Sequence, residues 1–408
     1  MLVQYSVRNY KSIKDEIVIN FSADDKYKNS SWTINDNSIP VHLYKCIGLI
    51  GPNASGKTNI IDSLIFASRY ILNTIKRKDS EKINIIPFAF DNNENSPSSF
   101  EFIFYNNGIK YIYGFSINNK EVLEEYLMEC LSKEPGTIFD RSPGQHYEFY
   151  NHDLETQNSI VQKTNANRLY MPVAAEWGYA PLKDIYIWFE FNFRQYNYIN
   201  TKNIINEIIK KEERKKILIS QLQKADFNIK DIYFKNKKLN QAYINRFEKI
   251  FNEITGINEE NIFPDVIPEL YIIHENCNGG TFTVELDEDS AGTESIVENI
   301  AEFLYLSEHG GLMLEDELGK TYHTKLTQHF LNMFKPESIN PGNLQLLFTT
   351  HNTHILNILN PDQIYLTDKD ETGATVIKLL DDYFIDENCD IELGYLKGRY
   401  GSIPYMKG

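Results

Sequence analysis

Eight residues constrain this 408-residue chain more than any other feature. "GPNASGKT" (51–58) matches G-x-x-x-x-G-K-[ST] in full. A short β-rich run, "VHLYKCIGLIG" (41–51), precedes it, and "KTNIIDSLIFASRYILNTI" (57–75) follows, with Ile60, Ile61, Leu64, Ile65 and Ser68 at helical spacing. Strand, glycine-bounded loop and helix in that order predict a phosphate cradle. Gly51 and Gly56 free the backbone to wrap phosphate oxygens. The N–H groups of the loop, which includes Asn53 and Ser55, point inward at a helix N-terminus. Lys57 is expected to reach the β- and γ-phosphates, and the Thr58 hydroxyl to ligate Mg²⁺.

A site of this kind needs acids from a neighbouring strand, and "GLMLEDEL" (311–318) supplies them. An apolar strand there ends in carboxylates at the carboxyl edge of a parallel sheet. Asp316 would hold Mg²⁺ through water, and Glu317 would be the general base that orients the attacking water. Glu315 interrupts the apolar run, so the register could slip by one, making Glu315 the metal carboxylate and Asp316 the base. The first register is favoured because the strand–acid–acid order keeps the base last. In "LQLLFTTHNTHIL" (344–356) a strand ends in Thr-Thr-His and an apolar helix is expected after it. His351 at that terminus can donate to the γ-phosphate. His354 would tempt a metal reading, but no third ligand is evident and it reads as a helix or surface residue.

The rest of the chain supplies the frame. "LVQYSV" and "DEIVINFS" alternate and predict two strands near the start. Between about 84 and 150, "INIIPFAF", "SSFEFIFY", "KYIYGFSI" and "EEYLMECL" predict an antiparallel sheet inserted after the first helix, with turns such as "YNNG" and "INNK". "NIINEIIKKEERKKILISQLQKADF" (203–227) reads as one amphipathic helix and "NQAYINRFEKIFNEITG" as a second; strands return at "ELYIIHE" and "GTFTVEL". From 292 onward helix and strand alternate, which predicts a parallel α/β sheet. The expected organisation is 1–180, an N-terminal lobe with the phosphate loop and β insert; 181–260, a helical lid or arm; and 261–408, a C-terminal lobe.

A formal charge of −16 argues against a protein coated in nucleic acid but leaves room for a local basic groove. Cys46, Cys130, Cys277 and Cys389 are scattered without a CxxC pair, as for thiols in a reducing compartment. No signal-peptide h-region or membrane-length apolar run is present, so a soluble cytoplasmic protein with no membrane partner is expected.

The order of phosphate loop, long interval, Ser-Ala-Gly-Thr (290–293), acidic strand and histidine resembles the ABC-type ATPases, including the SMC and RecF-like branch. The resemblance implies an α/β ABC-type P-loop ATPase head with an inserted antiparallel β subdomain and a helical lid or arm, with ATP and Mg²⁺ as cofactors. In that family a signature loop opens a helix and completes the γ-phosphate cage from the opposite subunit. "DSAGTES" (289–295) looks like a divergent signature, which implies that Ser290 and Gly292 act across a homodimer. "VRNYKSIKDEIVINF" (7–21) resembles the N-terminal strand pair of that branch, and the family role of phosphate contact carries over to Lys11, with Ser12 beside it. "YLKGRYGSIP" (395–404) resembles the C-terminal end of bacterial AAA/ABC-like ATPases linked to anti-phage defence, of the PARIS and OLD groups.

Two departures stand out. The family glutamine between phosphate loop and signature is missing: no Gln lies between Thr58 and Gln145, and Asp91 is the weak candidate for its role. The long heptad arms are missing too. About 40 residues follow the last sheet strand, too few for a fused Toprim nuclease. The tail acids (Asp381, Asp382, Asp386, Glu387) read as a solvated surface. The resemblance therefore implies an ATP-hydrolysing, dimerising switch that controls a separate effector protein, such as a nuclease or toxin, in a defence system. The alternative is a RecF/SMC-like DNA-repair ATPase, resting on "KKEERKK" (210–216) with Lys235, Lys237 and Lys238 on the helical arm.

Overall fold

The computed structural model describes residues 1–408 apart from 90–95, 132–133, 151–152, 194–200, 226–227, 256–264, 386–388 and 405–408. Asp91, Asp386 and Glu387 lie outside the described residues. The chain divides into two compact units, residues 1–199 with 306–408, and residues 200–305.

The first unit opens with β1 (Leu2–Arg8), β2 (Ile17–Asn20), β3 (Thr33–Ile34), β4 (Leu43–Tyr44), β5 (Cys46–Ile50) and α1 (Lys57–Asn73). Next come β6 (Ser98–Asn106), β7 (Ile109–Ile117), β8 (Val122–Cys130), β9 (Gly136–Ser142), β10 (His146–Phe149), α2 (Leu154–Val161), α3 (Tyr170–Glu176) and α4 (Ala180–Phe193). The second unit holds α5 (Thr201–Lys210), α6 (Glu212–Lys224), β11 (Ile229–Lys238), α7 (Gln241–Thr255), β12 (Val266–Glu275), β13 (Thr281–Glu285) and most of α8 (Ala291–Ser307). The chain returns to the first unit with β14 (Leu312–Glu315), α9 (Thr324–Asn332), β15 (Gln345–Thr350), β16 (Ile364–Lys369), β17 (Thr375–Leu379) and α10 (Ile391–Leu396).

Two large sheets build the first unit, beside the two-stranded pair of β3 and β4. One has the order β14-β15-β5-β16-β17; its first four strands are parallel and β17 is antiparallel. β5 and β15 are buried at every position, as expected for parallel strands covered on both faces. The other is fully antiparallel, in the order β10-β9-β8-β7-β6-β1-β2. The N-terminal pair and the later insert are thus one sheet, joined where β1 lies against β6. Helix α1 packs on both β1 and β15. Against the antiparallel sheet, Trp188 of α4 stacks on Phe104 with ring centroids 4.0 Å apart, and Phe189 meets Phe102 edge-on at 5.1 Å. Buried Gln345 stitches the sheets: its Oε1 accepts from Leu2 N (2.8 Å), and its Nε2 donates to Leu2 O (3.0 Å) and Tyr44 O (3.2 Å).

The second unit is a three-stranded antiparallel sheet, β11-β12-β13, with its helices. Among the described residues no helix is long and apolar enough to cross a membrane.

Four expectations are corrected. Residues 83–89 form no strand. Pro87 has no N–H to give a ladder, and the run instead bonds the β1–β2 turn, with Lys11 N donating to Ile86 O (2.8 Å) and Phe88 N to Asn9 Oδ1 (2.9 Å). The helix expected over 203–227 is two helices, broken at Lys211, whose backbone is extended (φ −96°, ψ 105°). α5 buries Ile204, Ile205 and Ile208, and α6 buries Leu218 and Leu222, but the break falls within the charged run 210–216, which has no apolar residue to hold one continuous helix. Lys235, Lys237 and Lys238 lie on strand β11, not on a helical arm. After β15 comes a 3₁₀ segment, Thr353–Asn357, in place of an α-helix.

Candidate active site

Register brings the site together. Glu315 of β14 pairs with Phe348 of β15, and Thr350 of β15 pairs with Ile50 of β5, so the three strands end at one edge. Asp316, His351 and the 51–58 loop leave the sheet there.

The loop is shaped from behind as well as from its ligand side. Ser55 is buried and its Oγ hydrogen-bonds Thr367 Oγ1 of β16 at 2.7 Å. Gly56 has φ +101°, and a methyl group on it would overlap Thr375 Oγ1 of β17; one on Gly51 would overlap Thr367 O. Packing therefore requires glycine at both positions, and at Gly56 the left-handed turn requires it as well. Asn53 is exposed at the loop tip.

Lys57 is buried and folds back on its own loop, donating to Gly51 O (2.9 Å) and Pro52 O (2.8 Å). Burial lowers its pKa to about 8 against the opposing pull of Asp316 and Glu317. Thr58 Oγ1 donates to Asp316 Oδ1 at 3.3 Å, and both residues are exposed at the site. It is Asp316 that meets the loop threonine. A hydroxyl and a carboxylate are hard oxygen donors that could hold Mg²⁺, with water and phosphate oxygens completing the shell. Among the described residues there is no group of three or more His, Cys, Asp or Glu that could hold a metal ion by itself.

Thr349, to which the sequence assigned no role, organises both acids. Its Oγ1 donates to Asp316 Oδ1 (2.5 Å) and accepts from Glu317 N (2.7 Å). Glu317 takes a left-handed backbone (φ +59°), unusual for a non-glycine residue. Its carboxylate pairs with Lys320, whose hydrogen bond holds the Glu317 pKa below the usual carboxylate value, with help from His351 and Lys57. Partial burial, reinforced by Lys57, lowers the His351 pKa despite Asp316 and Glu317.

Ser12 reaches the cradle: its Oγ bonds Thr375 Oγ1 (2.7 Å) and accepts from Asn59 Nδ2 (2.6 Å), beside Gly56. Lys11 is turned to α1, where its ammonium pairs with Asp62. Gln145, the first glutamine after the loop, serves the β insert: it accepts from Arg141 and donates to Val122 O. Ser290 and Gly292 belong to the second unit, where exposed Ser290 precedes α8 and its Oγ accepts from Thr293 N (3.1 Å). Among the basic residues of the DNA reading, Lys210 pairs with Glu207, Lys215 with Asp231, Lys216 with Glu212 and Lys237 with Glu285.

A cavity of about 970 Å³ opens at the loop, lined by residues 50–55, His351 and Thr353, with Leu396, Ile403 and Pro404 on another wall. A second, of about 440 Å³, is lined by Glu317, Lys320, His351, Asn352, Thr353 and Glu392.

A parallel sheet whose central strand runs into this loop and helix, with acids and a histidine at the same edge, defines a P-loop nucleotide-binding protein. The model of the family described as "AAA domain, putative AbiEii toxin, Type IV TA system" matches residues 46–357, and the chain belongs to that family. Among solved structures, the chain is similar to an SmcHead bound to the C-winged helix domain of ScpA, at 11% identity and a TM-score of 0.40, covering 92% of this chain and 96% of that one. It is also similar to the Smc head domain with an extended coiled coil bound to the C-terminal domain of ScpA from Pyrococcus furiosus, at 12% identity and a TM-score of 0.32, covering 93% and 97%. No curated protein matches the chain.

Proposed function

We propose that this AAA protein is a Mg²⁺-dependent ATPase that works as a dimeric switch. The observation that carries the reading is the meeting of Thr58 with Asp316, beside Glu317, at one sheet edge. Lys57 exchanges the loop carbonyls for β- and γ-phosphate oxygens. Thr58 and Asp316 would hold Mg²⁺, which would supply charge neutralisation at the phosphates. Glu317, freed from Lys320, orients the attacking water and accepts its proton, and release raises its basicity toward the range a general base needs. His351 donates from a ring N–H to the γ-phosphate. Ser290 and Gly292 of a second copy complete the cage through the N-terminus of their helix. Hydrolysis separates the copies and so controls a separate effector, such as a Toprim nuclease, in an anti-phage defence system. The family description, which joins an AAA domain to a toxin system, supports that last step. The lysine–carboxylate pairs of the second unit give the DNA-repair alternative no specific support.

Glu317→Gln is expected to bind ATP without turning it over and to elute as an ATP-dependent dimer on a sizing column. If wild type and Glu317→Gln both stay monomeric with full ATPase activity, the sandwich is wrong.

A further inference from the structure

The C-terminal helix α10 meets the segment after β15 through the side chain of Glu392. Thr353 Oγ1 donates to Glu392 Oε1 at 2.7 Å, and the ring of His354 faces Glu392 Oε2 from Nδ1 at 3.4 Å. The end of the same segment is held too: Asn357 Nδ2 donates to Asp390 Oδ1 (3.2 Å), and Glu392 N donates to Asn357 Oδ1 (3.4 Å). All these partners lie in the 3₁₀ segment that begins two residues after His351. A 3₁₀ turn has poorer internal hydrogen bonds than an α-helix, so an outside anchor decides where it sits. Glu392 also lines the 440 Å³ cavity with Glu317 and His351.

From this placement we propose that Glu392 is a positioning residue of the ATPase, fixing the segment that aims His351. The proposal rests on the ATPase reading above. Glu392 touches no nucleotide; it acts through Thr353 and His354 on the histidine. Because α10 carries it, the C-terminal segment is coupled to turnover and not merely to folding.

The test is steady-state ATP hydrolysis of the full chain, with thermal melting alongside. Glu392→Ala is expected to lower kcat about tenfold with KM for ATP within about twofold. Glu392→Gln, which keeps an acceptor for Thr353, should recover most of the rate. Thr353→Val removes the 2.7 Å bond from the other side and should reproduce the loss even if Glu392→Ala folds poorly. The decisive comparison is His351→Ala with and without Glu392→Ala. A residue that acts only through the histidine costs nothing further once the histidine is gone. An equal loss in both backgrounds, or an unchanged kcat in Glu392→Ala and Thr353→Val, overturns the proposal. Lys57→Ala separates the two failures: if it hydrolyses ATP at the wild-type rate, the ATPase reading itself is wrong.

Discussion

Lys57 shows how burial sets a ligand's terms. Burial lowers the pKa of its ammonium, which donates to two carbonyls of its own loop, and the charges of Asp316 and Glu317 oppose that shift and leave the value at about 8. A bound triphosphate would restore the charge. The sign follows: above about pH 8 the free lysine has lost a proton that the complex keeps. Binding must then take up a proton, and affinity falls by up to about tenfold per pH unit. Below pH 8 this residue contributes no pH dependence. Titration calorimetry in two buffers of different ionisation enthalpy should show net proton uptake at about pH 9 and almost none at about pH 7. Lys57→Arg, charged throughout, should lose the dependence. Equal uptake at both pH values would place the linked proton elsewhere. Glu317 is the counterpart: paired with Lys320 and held in a left-handed backbone, it is poised but not yet basic.

Among the elements, α3 is fixed at its N-terminus by a buried ion pair. Glu125 accepts from Tyr170 N (2.5 Å), Met171 N (2.9 Å) and Tyr113 OH (2.9 Å), and Arg141 approaches to 3.5 Å, both side chains being fully buried. Arg141 in turn donates to Arg168 O (2.7 Å) and Ala166 O (3.0 Å). Burial pushes the Glu125 pKa up, and the arginine and three donors pull against it. Glu125→Ala leaves a guanidinium uncompensated and should cost about 3–5 kcal/mol in urea denaturation. Glu125→Leu with Arg141→Met should cost less than Glu125→Ala alone. If the double variant is the less stable, the pair contributes more than its desolvation costs. Elsewhere local pattern misled: 203–227 has a helical period, yet the period carries no information where its apolar residues stop, at 210–216.

At the scale of the molecule, residues 200–305 form a compact unit between the two stretches of the first. The proposed cradle and the proposed signature loop therefore lie on different units. A cage completed by a second copy makes activity depend on association. ATPase activity per chain should rise with protein concentration and level off once the dimer is saturated, while Ser290→Arg should leave nucleotide binding intact and hold activity at the dilute value. Activity per chain that stays flat on dilution well below the dimer's dissociation constant would place the whole site within one copy.

The sequence by itself determined the strand–loop–helix of 41–75, the acidic strand end at 312–317 and the alternation of the C-terminal half. These are written in short-range spacing, where period and glycine placement act directly on the backbone. Only the tertiary structure decided that β1 and β2 join the insert in one sheet, that Lys11 pairs with Asp62, and that Thr349, Thr367 and Thr375 shape the cradle from three strands. Hydrophobic period reports which face of an element is buried but not what buries it. Hydrogen-bond partners such as Ser12 and Thr375, 363 residues apart, are chosen by the packing of the whole first unit.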